Sequence, residues 1–210
     1  LSQRYSDGAP RYTGYPEVHQ FKPITAADQA HALERSNQVT PGAPLSMWVR
    51  APFLEHPRNT GTGLGLDHKQ MVNVLPAMLS EIRLLGPRVS KHRRVEQLHL
   101  GGGEPTRFGD AQLAMLMQHI ESHFGFADPT RREFSIDIDP RRVDASRLGE
   151  LVAMGFNRIR IGVIDFDRDV LAAMHRVQTP SLTEDLMQAA RSKGLRSIAV
   201  DGERFAAKGL

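Results

Sequence analysis

The chain has 210 residues, of which 40% are hydrophobic and 24% charged, and its formal net charge is +3. Such a composition suits a globular domain with one sizeable core, or most of a barrel, and no run approaches the roughly 18 apolar residues of a membrane helix. There is no cysteine, which removes disulfides, thiol catalysis and thiolate-held iron–sulfur clusters from what this chain can do with its own side chains.

Residues 1–24 read as an extended arm bearing Pro and Tyr, polar at its start and without a signal-peptide apolar core. A cytoplasmic protein is the expectation. TAADQAHALERS (25–36) predicts a short helix capped by Thr25, so residues 1–44 form an N-terminal arm with one helix. LSMWV (45–49) opens a region, 45–210, in which apolar strands alternate with amphipathic helices. DHKQMVNVLPAMLSEIRLL (67–85) places Met71, Val74, Leu75, Met78, Ile82 and Leu85 on one helical face, with Asp67 as its cap and Pro76 as a kink.

The tightest basic group, Lys91, His92, Arg93 and Arg94, precedes an apolar run. It reads as a solvated connection and not as a nucleic-acid patch. VEQLHL (95–100) is the next strand and ends in GGGEPT. DAQLAMLMQHIESHF (110–124) is a helix capped by Asp110. EFSIDID (133–139) alternates as a strand, DASRLGELVAMG (144–155) is a helix stopped by Gly155, and RIRIGVID (158–165) is a strand. Helices over 168–176 and 181–194 and the strand SIAVD (197–201) follow.

Strand followed by helix, five times over, predicts a parallel α/β sheet, either a partial (β/α) barrel or a doubly wound sheet. Ligand chemistry then gathers at the C-terminal ends of the strands. After the fifth strand only GERFAAKGL remains. The expectation is a barrel cut short, whose last strand is an exposed edge open to a second copy or another subunit.

Among local signals GGGEPT (101–106) is the most specific. Its glycines permit positive φ and bring backbone N–H groups close to a ligand, and Glu104 adds an acceptor for an ammonium group. A tight strand-to-helix turn explains the glycines equally well. Asp137 and Asp139 leave their strand on one face, although Asp139 also suits a cap for the next helix. Asp165 and Asp167 read as caps. The nine histidines do not cluster; His56, His68, His99 and His175 could meet only through tertiary contacts, so a metal site is not expected. There is no G-x-S-x-G turn for a serine nucleophile.

Seven segments carry a resemblance: PRYTGYP (10–16), LSMWVRAPF (45–53), VEQLHLGGGEPT (95–106), FSIDIDPR (134–141), GFNRIRIGVIDFD (155–167), HRVQ (175–178) and SIAVD (197–201). In this order and spacing they resemble the oxygen-independent coproporphyrinogen III oxidases, a branch of the radical S-adenosylmethionine (SAM) enzymes. The resemblance implies an incomplete (β/α) barrel. It also implies a loop after the first strand whose three cysteines hold a 4Fe-4S cluster that reductively cleaves SAM. The radical so formed starts oxidative decarboxylation of two propionates to vinyl groups.

Aligned on APF, the three ligand positions are Leu54, Arg58 and Gly61, and the family's next cysteine falls on Gly63. Arg50 stands for the family histidine and Trp48 for a tyrosine. The resemblance further implies cofactor contacts at Gly102, Gly103, Arg176 and Asp201. Glu104 stands where this branch has Thr, in the G-G-E form used more widely among radical SAM enzymes, and Asp137 stands for a Glu. Ile164 replaces a cofactor-binding Gln, and DGERFAA replaces the family's DLIYGLP.

The expectation is therefore a relative with its redox centre lost, no 4Fe-4S cluster and no radical chemistry, whose remaining ligand is SAM or a tetrapyrrole. A non-catalytic interaction subunit pairing with a full-length homologue is the alternative. An altered or incomplete copy of the working enzyme is the third reading.

Overall fold

Apolar residues at every second position make the strands, and apolar residues three and four apart make the helices between them. The computed structural model describes residues 22–52, 68–163, 165–166, 171 and 178–202. Within them the order is α1 (Ala26–Val39), β1 (Leu45–Arg50), α2 (His68–Leu85), β2 (Val95–Gly101), α3 (Asp110–Phe124), β3 (Glu133–Ile138), α4 (Ala145–Ala153), β4 (Arg158–Val163), α5 (Pro180–Ser192) and β5 (Ser197–Gly202). Two short 3₁₀ turns, Gly86–Arg88 and Pro105–Arg107, were not legible in the sequence. The arm before residue 22, the Asp67 cap, and Asp167 lie outside the described residues, as does the helix expected over 168–176 apart from Leu171.

All five strands pair in parallel, and their spatial order is β1-β2-β3-β4-β5. A doubly wound sheet reverses direction at a switch point, whereas a barrel wall adds each strand beside the last. The sequential order therefore selects the partial barrel.

One face of the sheet is covered by helices. Leu98, Leu100, Phe134, Ile136, Ile159 and Ile161 are at most 2% exposed, and they meet Leu113, Leu116 and Ile120 of α3, Leu148 and Leu151 of α4, and Leu186 of α5 in one core. Phe126 packs edge-on against Phe134, with ring centroids 4.7 Å apart. Asn157 ties the N-terminal ends of the strands together. Its Oδ1 accepts from the Phe134 N–H at 3.1 Å, its Nδ2 donates to the Arg132 carbonyl at 2.7 Å, and its own carbonyl accepts from Arg196 N–H at 2.8 Å.

The helix ends mostly follow the sequence signals. Thr25 caps α1 in a reciprocal box with Asp28, and Gly155 and Gly194 leave α4 and α5 at φ +98° and +79°. Helix α2 continues through Pro76. Two expectations change. Helix α3 is capped at Gly109, whose N–H is taken by Gln112 Oε1 at 2.9 Å; Asp110 is the first helical residue and instead accepts from Arg147 Nε at 2.9 Å. Asp139 does not cap the next helix, because Asp144 does so through the Arg147 N–H at 2.8 Å.

The basic group before β2 is spent on local structure. Lys91 Nζ donates to the His123 carbonyl at 2.6 Å, and Arg93 reaches the Ala43 carbonyl and Ser36 Oγ, both at 2.9 Å. Among the described residues no helix is long and apolar enough to cross a membrane.

Candidate functional site: a polar inner barrel wall

The other face of the sheet has the opposite character. Positions alternating with the apolar core carry Ser46, Trp48 and Arg50 on β1, Gln97 and His99 on β2, Ser135 and Asp137 on β3, Arg158 and Arg160 on β4, and Ser197, Ala199 and Asp201 on β5. The parallel register lines these up across the wall. Trp48 sits beside His99, His99 beside Ser135, Ser135 beside Arg158, Asp137 beside Arg160, and Gly162 beside Asp201.

Asp137, His99 and Arg160 form the centre of this wall. Arg160 donates Nε to Asp137 Oδ1 at 2.8 Å and Nη2 to Oδ2 at 3.2 Å. His99 Nε2 lies 3.5 Å from Asp137 Oδ1 and 3.2 Å from Arg160 Nη2, and its Nδ1 meets Ser135 Oγ at 2.8 Å. The hydrogen bonds to Asp137 outweigh partial burial and hold the Arg160 guanidinium above its usual pKa, so it stays charged. Gly101 makes this arrangement possible: a Cβ there would collide with the Asp137 carboxylate and His99 Nε2.

The residues implicated by the resemblance divide into three sets. Trp48 is 71% exposed on the inner wall, its ring centroid 6.0 Å from that of His99. Asp201 stands on the same wall with its Oδ2 3.6 Å from Arg160 Nη1, so Trp48, Asp137 and Asp201 are brought to one surface.

The glycine loop forms the second set. Gly102 has φ +74°, and the space a Cβ would take there is filled by the Arg50 side chain; Gly103 is half-buried beside it. Glu104 is turned toward arginines, with Arg107 Nε 3.1 Å from its Oε2 and Arg141 and Arg142 each 3.8 Å from its Oε1. Its carboxylate is thus engaged by cations of the chain itself. Asp139 is buried and bound by Arg141 at 2.5 Å, while Asp165 accepts from the Phe166 N–H at 2.7 Å. The third set, Leu54, Arg58, Gly61, Gly63, Ile164 and Arg176, lies outside the described residues.

Toward the strands' N-terminal ends the wall bears a shallow, largely open depression of about 600 Å³. Trp48, His99, Glu133, Ser135, Arg158 and Arg160 line it, and Asp137 does not. Arg158 donates Nη2 to Glu133 Oε1 at 2.6 Å, and its buried Nε has no hydrogen-bond partner among the described residues.

Sequence reading missed Arg160 and Ser135. The signal was present: the alternations QLHLG (97–101), SID (135–137) and RIRIG (158–162) put a polar side chain at every second position of three adjacent strands. Only their relative register tells which of those side chains meet.

The donor set does not fit an iron–sulfur cluster, since a thiolate cannot come from a chain with no cysteine. It also fits SAM poorly, because Asp137, the carboxylate the resemblance assigns to that contact, is held by Arg160.

The sequence profile described as "Radical SAM superfamily" matches residues 80–202. Oxygen-independent coproporphyrinogen III oxidase of Pseudomonas aeruginosa is 38% identical over 205 residues, covering 96% of this chain and 44% of the relative. The same-named protein of Escherichia coli K12 is 34% identical over 205 residues, covering 96% of this chain and 43% of the relative. Among solved structures, coproporphyrinogen III oxidase from Escherichia coli, described as a radical SAM enzyme, superposes with a TM-score of 0.77 at 32% identity. That superposition covers 91% of this chain and 44% of the other. The chain thus spans less than half the length of these relatives. With the sequential parallel sheet and a profile match over more than half its residues, this chain belongs to the radical SAM superfamily and resembles its oxygen-independent coproporphyrinogen III oxidases.

Proposed function

We propose that this chain is a cluster-free, catalytically inactive relative of oxygen-independent coproporphyrinogen III oxidase that binds a small molecule on its inner barrel wall. SAM and a tetrapyrrole are the two ligands that the resemblance brings forward, with porphyrin metabolism in the cytoplasm as the setting. One observation carries the reading. The positions aligned with the cluster cysteines are Leu54, Arg58 and Gly61, and the 210 residues contain no cysteine to replace them. Reductive cleavage of a sulfonium needs an electron delivered through bound iron, and none of these side chains supplies a soft ligand for it.

Anaerobic reconstitution with iron and sulfide tests this directly. The expected absorption spectrum lacks cluster bands, and incubation with SAM and a reductant yields no 5′-deoxyadenosine. Cluster iron together with 5′-deoxyadenosine overturns the proposal. Calorimetric titration with SAM and with haem tests the ligand part, and silence from both removes those two ligands.

A second reading, an interaction subunit that pairs with a homologue, is favoured by β5. Among the described residues this strand has β4 as its one neighbour, and it exposes 44% of Val200. A strictly monomeric protein in sedimentation, alone and mixed with a full-length homologue, would remove it.

A further inference from the structure

A guanidinium offers N–H donors and no acceptor, whereas an imidazole nitrogen accepts only when it carries no proton. Arg160 Nη2 lies 3.2 Å from His99 Nε2, and that contact is a hydrogen bond only if Nε2 is bare. The proton of the neutral ring then sits on Nδ1, which meets Ser135 Oγ at 2.8 Å. Ser135 in turn donates its hydroxyl proton to the Leu98 carbonyl at 3.3 Å. Each donor in this run, from Arg160 through His99 and Ser135 to the backbone of β2, finds an acceptor. The same order opposes Ser135 as a nucleophile activated by His99, because Nδ1 gives a proton to that hydroxyl and does not take one.

A proton on Nε2 breaks the run. Two cations would then face each other at 3.2 Å, with no lone pair between them. The acceptor at hand for Nε2–H is Asp137 Oδ1, 3.5 Å away, and Nε2 and the Asp137 carboxylate already converge in the space over Gly101. Arg160 has a second carboxylate close by, since Asp201 Oδ2 lies 3.6 Å from its Nη1. The Trp48 ring, 6.0 Å from that of His99, favours a cationic imidazole over a neutral one. The other charges on this face are engaged elsewhere: Glu133 holds Arg158 at 2.6 Å, and Arg50 of β1 lies over Gly102. The His99 side chain is 27% exposed, so water can deliver the proton.

We propose that His99 is a proton-operated switch on the inner wall. Neutral, in the Nδ1–H form, it shares Arg160 with Asp137 and ties β2, β3 and β4 together. Protonated, it takes Asp137 Oδ1, and Arg160 turns its Nη atoms toward Asp201, so that one tie moves to the edge strand β5. The switch uses only the protein's own side chains. It goes beyond the ligand-binding reading and does not depend on it.

Two-bond ¹H–¹⁵N correlation in histidine-labelled full chain identifies the tautomer, with His99→Gln assigning the signal. At about pH 8 His99 is expected in the Nδ1–H form. Trp48 is the one tryptophan, and an imidazolium quenches indole emission more than a neutral imidazole does. Its emission is expected to fall in a one-proton step between about pH 8 and 5, and His99→Gln is expected to abolish that step. The Arg160 Nε–H signal, assigned by Arg160→Met, is expected to shift with the same midpoint. Arg160→Met removes the donor that favours the neutral ring and should move the emission midpoint to higher pH. Asp137→Asn removes the acceptor that favours the cation and should move it to lower pH.

An Nε2–H tautomer at the alkaline end overturns the proposal. So does an emission step that is absent or survives His99→Gln, or an Arg160 signal that does not follow the step. Midpoints that move in the same direction, or not at all, overturn it as well. Should Arg160→Met fail to melt cooperatively, the wild-type tautomer, the emission step and Asp137→Asn decide. A cluster in reconstituted protein would overturn the cluster-free reading alone, and a failed titration in cluster-free protein overturns only the switch.

Discussion

The two faces of the sheet are made by the same five strands and do different work. On the helix-covered face Phe134, Ile136, Leu98 and Ile161 are at most 1% exposed. On the inner face the neighbouring positions are Ser135, Asp137, His99 and Arg160, joined by hydrogen bonds and partly open to water. Burial of apolar area scales with stability, whereas half-exposed polar pairs contribute little. The difference explains how a barrel can keep its shape while its inner chemistry changes.

The largest effect should come from the covered face. Phe134→Ala is expected to lose about 3–5 kcal/mol in denaturant unfolding, because a fully buried aromatic leaves a cavity that the strands cannot close. Gly101→Ala probes the boundary between the faces, since its methyl group meets Asp137 and His99. A cost of about 1–3 kcal/mol is expected in denaturant unfolding.

Asp137→Asn tests the inner face alone. Its side chain is 21% exposed and that of Arg160 41%, and a loss of at most about 1 kcal/mol is expected. If it costs as much as Phe134→Ala, the division of labour between the faces fails.

The smallest effect lies off both faces, on α1. Hydrogen bonds from the Thr25 backbone and hydroxyl hold the Asp28 carboxyl below its ordinary 3.8. A depressed folded pKa contributes stability that is present above the unfolded value and lost as pH falls through the folded one. Asp28→Asn should therefore lower the melting temperature slightly at neutral pH and leave it unchanged in acid, where the carboxyl is protonated, so that the acid limb of the profile is flatter. An unchanged acid limb would show that the capping box contributes nothing to the fold's acid response.

Much of the fold was legible because period-two and helical spacing are local properties of the chain. EFSIDI shows its buried and open positions in its own letters, and Thr25, Gly155 and Gly194 mark helix ends by their chemistry. The Asp110 cap was misread because Gly109 has no side chain to announce it, and the donor is satisfied by Gln112 three residues on. Asp139 was half-right: its carboxylate serves a turn through the Arg141 N–H at 3.0 Å, while the helix cap falls to Asp144.

The candidate site was legible only in its residue types. Trp48, Asp137 and Asp201 were named from the resemblance, but no local pattern says that Arg160, 23 positions after Asp137, reaches its carboxylate. Nor does the sequence say that Glu104 turns to Arg107 and lies near Arg141 and Arg142.

The sequence by itself determined the alternation of strand and helix and the absence of any thiolate ligand, because both are counted along the chain. Which carboxylates stay open to a ligand was decided only by the tertiary structure. Parallel register sets Asp137 beside Arg160 and Trp48 beside His99, and charge pairing between adjacent strands depends on that register, which a single strand does not carry.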